Sequence, residues 1–412
     1  MAKKRIGLIH YTYPPVIGGV EKVIFDHAQL FSRYDYDVTV FAGEGHSDNP
    51  KVKLKIIPEF KSLRVADPDL FEKTLNEDVF PDEFTRFSEK ILKKIYKEFE
   101  GIDVFIIHNV LNLTLNLCLN RALSEYIKKH PNKKFIGWMH DIALSPERKK
   151  KKFTNPAIDQ MIYQPVENVK YVGISNFLKE RLSEEFGFPT KSMTIVSNGI
   201  DLNTFLGLHP VTQKIIKYHK IFLYDYLIFY SGKVLKFKNV DIIVNIVSEL
   251  KKQAKNPLMV ISGKDSPHNI NINYMQEIKS LIKQLKLEKN VVFIEDEIEE
   301  KSNGESFEVV KDFYRLADIV INLSGFENFG LPLIEAGVNK TPLIVNDLNV
   351  FKEIDNVNIH FVDIDNESPA QIASKIRLII EGNQQIGFFR KIKKNFNLEK
   401  IFVEKIIPLL EK

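Results

Sequence analysis

A single cysteine, Cys118, stands in the 412 residues of this chain. That excludes an internal disulfide framework, and its place in an apolar stretch of helical period marks it as a buried, inert thiol. No run of about eighteen apolar residues occurs, which excludes a membrane-spanning helix. The opening MAKKRIGLIHYTYPP goes from a basic start directly into a short strand, without the longer apolar region and cleavage site of a secretory signal. Charge of one sign is lacking too: 58 Lys and Arg against 54 Asp and Glu leave a net +4, so no nucleic-acid partner is expected. The ten histidines and one cysteine form no metal-ligand spacing, and no metal or other cofactor is expected. Asp67-Pro68-Asp69 and Asp363-Ile364-Asp365 read as surface loops. The location expected is cytoplasmic. The basic run Arg148 to Lys152 reads as a solvated loop, with peripheral contact at the inner face of a membrane as the alternative.

What is present is a soluble globular composition, 44% hydrophobic and 27% charged, in a chain long enough for two domains of ordinary size. Short apolar runs alternate with longer stretches of helical period. Strands are expected at Ile6 to Ile9, Val38 to Phe41, Val104 to Ile107, Lys134 to Trp138, Val169 to Val172 and Met193 to Val196. Helices are expected between them at about Phe84 to Phe99, Leu113 to Lys129 and Asn176 to Phe186. After Asn198 to Phe205 the pattern loses its period, then restarts with a strand at Tyr226 to Tyr230 and further strands at Leu258 to Ile261, Val291 to Ile294, Ile319 to Leu323, Pro342 to Val345 and Ile359 to Val362. Alternation of this kind gives parallel sheets with crossover helices. The fold class expected is α/β: two Rossmann-like doubly wound domains, residues 1–205 and 206–396, with an interdomain cleft.

The stretch Ser324 to Gly337, SGFENFGLPLIEAG, joins one of these strands to a helix. Pro332 can open the helix at no cost in hydrogen bonds, and the free N–H groups of Asn328, Phe329, Gly330 and Leu331 can then converge on an anionic or oxygen-rich ligand. Glu327 stands at the loop mouth, and Glu335 lies about one turn into the helix. Three further segments sit at strand ends. YPPVIGGVEK carries Gly18 and Gly19 ahead of a helix, where backbone can approach a phosphate. YSGKVLKFKN carries Lys233, Lys236 and Lys238. FIGWMHD presents His140 and Asp141 at the carboxyl edge of its strand, with His108 at the end of the preceding one. Ser175 and Asn198 precede a helix and a turn, where capping and lining a site are equal readings.

Taken together, these segments resemble the retaining glycosyltransferases of the GT-B fold, in particular glycosyltransferase family 4. There, a Glu, seven residues and a second Glu frame the site of a nucleoside-diphosphate sugar. The resemblance implies that Glu327 and the backbone after it face the donor's sugar, that Glu335 accepts hydrogen bonds from the ribose, and that Lys233 and Lys238 hold the leaving diphosphate. Lys233 stands where the family has Arg, which removes the guanidinium's two-pronged grip. It also implies that the Gly18-Gly19 loop contacts the diphosphate and His140 the sugar. His108, Ser175 and Asn198 would line the cleft, and the main chain at Ile298 would hold the base. The final helix, residues 397–412, would cross back onto the first domain.

The function expected on this ground is metal-independent, retaining transfer of a hexosyl group from a UDP- or GDP-sugar to an acceptor hydroxyl. First-domain loops such as Asp67 to Arg86 and Leu144 to Ile158 would choose the acceptor. The alternatives are a sugar-nucleotide epimerase or phosphorylase on the same plan, or a binding protein that has lost the chemistry. Acceptor, linkage and oligomeric state have no readable code.

Overall fold

The computed structural model describes residues 4–142, 153–263, 272–298 and 305–411; the basic run Arg148 to Lys152 and most of Glu299 to Ser306 lie outside them. Two compact units result, one of Met1–Asp201 with Leu398–Lys412, the other of Leu202–Asn397. The division falls before the expected 205/206 because the short helix Leu202–Phe205 belongs to the second unit.

The first unit holds β1 (Arg5–Ile9), β2 (Asp37–Ala42), β3 (Val52–Ile56), β4 (Val104–His108), β5 (Lys134–Met139), β6 (Val169–Gly173) and β7 (Thr194–Ile195), in the order β3-β2-β1-β4-β5-β6-β7. All pairings are parallel; Ile6 lies opposite Val104 and Ile9 opposite Ile107. Side chains alternate across a strand, so successive residues of β1 enter different cores. Ile9 joins Phe41, Phe105 and Ile107 on one face, while Ile6 and Leu8 join Val38, Val40 and Ile106 on the other. Apolar residues on both faces are what a sheet covered on both sides requires.

The second unit repeats the plan with β8 (Tyr226–Tyr230), β9 (Pro257–Ile261), β10 (Val291–Phe293), β11 (Ile319–Asn322), β12 (Leu343–Asn346) and β13 (His360–Val362), ordered β10-β9-β8-β11-β12-β13. Tyr226, Ile228 and Tyr230 face one core, Leu227 and Phe229 the other. In each sheet the strand order reverses once, between β1 and β4 in the first and between β8 and β11 in the second. At such a reversal the loops leave toward opposite faces and open a crevice at the carboxyl edge.

Several expectations are corrected. Strand β3 and the helix Pro68–Asn76 were not foreseen. Asp67 is no loop residue: its side chain accepts from Leu70 N at 3.0 Å and caps that helix, with Pro68 in the first turn. The stretch without clear period contains the helix Pro210–His219, whose Thr212 donates to Asp312 Oδ2 at 2.7 Å; a buried polar residue on its inner face hid the apolar stripe. The last helix is not uniform, since Leu398–Ile401 and Ile407–Glu411 flank a π-helical stretch Phe402–Ile406. Pro408 explains this, because its ring cannot coexist with the usual carbonyl four residues back. Leu398, Ile401, Phe402, Ile406, Leu409 and Leu410 pack into the first unit's core. Cys118 is buried, with its thiol pushed up to about 12 by loss of solvent.

Candidate active site

In the second unit the loops after β8 and β11 meet at the reversal of strand order. Backbone ties them: Gly325 N donates to Phe237 O at 2.7 Å, and Asn239 Nδ2 to Leu323 O at 2.8 Å. Asn239 takes a left-handed conformation, φ 54°, that a short polar side chain tolerates. Across this junction Lys238 donates to Glu327 in an ion pair, with side-chain exposures of 16% and 23%. The loop holding Lys238 also carries Lys233 and Lys236, both exposed, and no acid. Its turn is fixed by Tyr230 Oη donating to Lys233 O at 2.8 Å and by Gly232 N donating to Ser262 Oγ at 2.9 Å.

The helix after β11 runs Leu331–Val338. It starts one residue before Pro332, which therefore holds its second position. Gly330 precedes it at φ 107°, ψ 54°, a region that L side chains avoid, and a Cβ there would come within 2.9 Å of the Phe351 ring. The exposed Asn328 and Phe329 lead into this start, and the N–H groups of the first turn lack intrahelical acceptors. Glu335, half-buried, accepts from Tyr314 Oη at 2.5 Å. Tyr314 is 2% exposed, and its ring packs edge-on against Phe229 at 4.9 Å. Burial and the neighbouring carboxylate raise its hydroxyl pKa. One edge thus gathers cations, a helix N-terminus and two carboxylates, each already oriented by a partner. That combination suits a diphosphate joined to a polyhydroxylated group.

The first unit's edge differs in kind. His108 ends β4 and His140 follows β5; His108 Nδ1 lies 3.0 Å from His140 Nε2. His10 follows β1, with Nδ1 donating to His108 O at 2.9 Å. Asn109, at φ 58°, receives the N–H groups of His140 (2.7 Å) and Asp141 (3.2 Å) on its Oδ1 and donates to Asp141 Oδ2 at 2.8 Å. These side chains hold one another in place. Burial lowers the pKa of His27 and His140 to about 3, and that of His108 well below its ordinary value.

The Gly18-Gly19 loop is filled on one side. The helix Gly19–Arg33 begins there, but Glu21 folds back over Gly18, and a Cβ on Gly18 would overlap its carboxylate. Thr12 Oγ1 donates to Glu21 Oε1 at 2.6 Å, and His10 Nε2 lies 3.7 Å from it. The neighbouring His10 ring leads the causes that bring Glu21 down to about 2, ahead of the Thr12 hydroxyl. The space at Gly18 therefore already holds the chain's own anion, and only Gly19 is left open, with nothing within 4 Å of its Cβ position.

Among the described residues, three other expected ones have only local contacts. Ser175 caps the helix Asn176–Phe186, its Oγ accepting from Leu178 N at 3.1 Å, so of its two readings the structure shows the cap. Asn198 is an exposed residue outside any helix. Ile298 packs its side chain against the second unit's core beyond β10, the strand at the far end of that sheet. Among the described residues no group of three or more His, Cys, Asp or Glu could hold a metal ion, and no helix is long and apolar enough to cross a membrane. Tyr314, Asn239, Asn109 and His10 were missed, because each acts on a partner distant in sequence. Glu21 and Asn239 stood within loops already singled out, Asn239 without a role of its own.

Comparison with known proteins places each half separately. The family model described as Glycosyltransferase Family 4 matches residues 17–204, and that described as Glycosyl transferases group 1 matches residues 211–396. Mannosylglucosylglycerate synthase of Petrotoga mobilis is 24% identical over 295 residues, 68% of this chain and 67% of its own length. The protein of that name from Thermotoga maritima is 21% identical over 359 residues, 84% and 82% of the two chains. A glycosyltransferase structure from Rickettsia africae aligns over 100% of this chain and 99% of its own at 18% identity, with a TM-score of 0.38. With parallel sheets built as described and a glycosyltransferase model on each half, this chain belongs to the group 1 glycosyltransferases of the two-domain GT-B fold, and its chemistry is glycosyl transfer.

Proposed function

We propose that the chain transfers a hexosyl group from a nucleoside-diphosphate sugar to an acceptor hydroxyl, with retention of anomeric configuration and without a metal. The observation that carries this reading is the meeting of Lys238 and Glu327 at the strand-order reversal of the second unit, beside the start of the helix Leu331–Val338. In this reading Lys238, with Lys233 and Lys236 on the same loop, stabilises charge that builds on the departing diphosphate. A cation about 4 Å from that charge contributes on the order of 4 kcal/mol at a protein-surface dielectric. The Glu327 carboxylate, oriented by Lys238, takes sugar hydroxyls, the backbone from Asn328 to Leu331 holds the donor, and Glu335, oriented by Tyr314, takes the ribose. His140 is a sugar contact in this reading.

The bond from the anomeric carbon to the phosphate oxygen breaks, the bond to the acceptor oxygen forms on the same face, and the acceptor's proton passes to the leaving phosphate. No carboxylate nucleophile is then required. Both relatives carry names beginning with mannosyl, which favours mannose as the transferred sugar. Contact with a membrane surface stays within the proposal, as does the cytoplasm as its place of work.

The test is a panel of UDP- and GDP-sugars screened by thermal shift, since a ligand of the folded state raises its stability. Turnover of the binding donor then follows, with the product anomer read by NMR and with chelator present. Retention with undiminished turnover in chelator is expected. An inverted product, or activity lost with chelator and restored by a divalent ion, would overturn the corresponding part.

A further inference from the structure

We propose that His108 is a positioning residue that locks His140 in the neutral tautomer carrying its proton on Nδ1, so that His140 offers the substrate a hydrogen-bond donor and not a base. That His140 meets substrate rests on the reading above; the tautomer itself rests on geometry alone.

His108 is fully buried at the end of β4. Its Nδ1 lies 3.0 Å from His140 Nε2 and the ring centroids lie 5.3 Å apart; the difference is no more than the offsets of the two nitrogens from their own ring centres, so the line between the nitrogens runs near both ring planes, as a hydrogen bond requires. Its other nitrogen, Nε2, is buried with no partner among the described residues. A neutral imidazole carries one N–H and one lone pair. With the proton on Nε2, His108 would bury a donor that has no acceptor. With the proton on Nδ1, only a lone pair goes unused, and a buried orphan N–H is the rarer and costlier of the two. Nδ1–H of His108 therefore donates to His140 Nε2.

His140 must then carry its own proton on Nδ1, because Nε2 is the acceptor. Among the described residues no hydrogen bond occupies His140 Nδ1, and the ring stands just beyond the carboxyl end of β5. The groups facing this pair from the helix Gly19–Arg33 and from the end of β1 are His27, Glu21 and His10. The backbone on either side is held as well, by Asn109 Oδ1 receiving His140 N and by His10 Nδ1 donating to His108 O. Trp138 stacks on the fully buried His108 ring at 5.7 Å.

Long-range proton–nitrogen correlation on the full chain, with its histidines labelled with nitrogen-15, reads each ring's tautomer at pH 7 without any substrate. His140, identified by the loss of its signals in His140→Asn, is expected to show a protonated Nδ1 and a bare Nε2, and His108 the same. A proton on His140 Nε2, or an imidazolium there, would overturn the proposal. In His108→Phe, checked for folding by circular dichroism, His140 is expected to populate both tautomers; an unchanged single tautomer would show that His108 does not set it. Turnover separates this from the site assignment. An Asn amide nitrogen overlays Nδ1 and a Gln amide nitrogen overlays Nε2, so His140→Asn should exceed His140→Gln by about tenfold, the worth of one hydrogen bond. Equal turnover of the two variants, with the tautomers as expected, would sink the contact to substrate and leave the role of His108 standing.

Discussion

The two sheets present the same topological feature with opposite electrostatics. At the first, the reversal between β1 and β4 is surrounded by His10, His27, His108 and His140, all less than a tenth exposed. At the second, the reversal between β8 and β11 is surrounded by Lys233, Lys236, Lys238, Glu327 and a helix N-terminus, half-buried or exposed. Buried imidazoles packed against one another are costly to rearrange and suit fixed contacts to uncharged hydroxyls. Charged groups near solvent keep their ionisation and suit an anion. The strand order therefore says where a ligand sits, and the side chains say what kind.

The sharpest way to break this contrast is Lys238→Ala. Removing a cation aimed at developing charge should cut kcat by roughly 100- to 1,000-fold, about 3–4 kcal/mol, with Glu327 left unpaired. The check is steady-state kinetics on protein shown to be folded. Turnover within a factor of two of the parent would remove the second edge from the chemistry.

The next largest effect concerns acid and the first edge. Buried His27, His108 and His140 have folded pKa values below the unfolded value of about 6.5. Between the two values the unfolded chain binds more protons, so stability falls as pH drops through 6.5, by up to about 1.4 kcal/mol per pH unit for each histidine. Glu21, held at about 2, adds a loss of the same sign only below its own unfolded value, about 4.3. The chain has one tryptophan, Trp138, packed 4.9 Å from His27 in the first unit. Its fluorescence during urea unfolding therefore reports that unit, and its midpoint should fall steadily from pH 6.5 to 5. A flat midpoint would show that these histidines are not neutral in the fold.

Tyr314→Phe is the finest probe. It deletes the hydrogen bond to Glu335 and little else, since the ring keeps its contact with Phe229. Nucleoside-diphosphate affinity by calorimetry should fall by about five- to tenfold, roughly 1 kcal/mol, with kcat at saturating donor nearly unchanged. Equal affinity would detach Glu335 from the nucleotide.

Much of this was legible in advance. The strands β1, β4, β8 and β11 announce themselves as short apolar runs, and Lys233, Lys238, Glu327 and Glu335 stand within local motifs that survive in a linear string. The helix Pro210–His219 was not legible, because Thr212 takes an inner position that only makes sense with Asp312 opposite. Nor was the closure of Gly18 by Glu21. Two glycines before a helix look the same whether the space above them is open or filled.

By itself the amino-acid order determined the alternation of strand and helix, hence two parallel sheets, and which residues stand at their carboxyl edges. Period and turn chemistry act within a few positions, so a one-dimensional pattern carries them. Only the tertiary structure decided which strands would be neighbours at each reversal, and so paired Lys238 with Glu327, Tyr314 with Glu335 and His108 with His140. These partners lie 89, 21 and 32 positions apart, and a hydrogen bond or ion pair is set by distance and direction in space, which spacing along the chain does not encode.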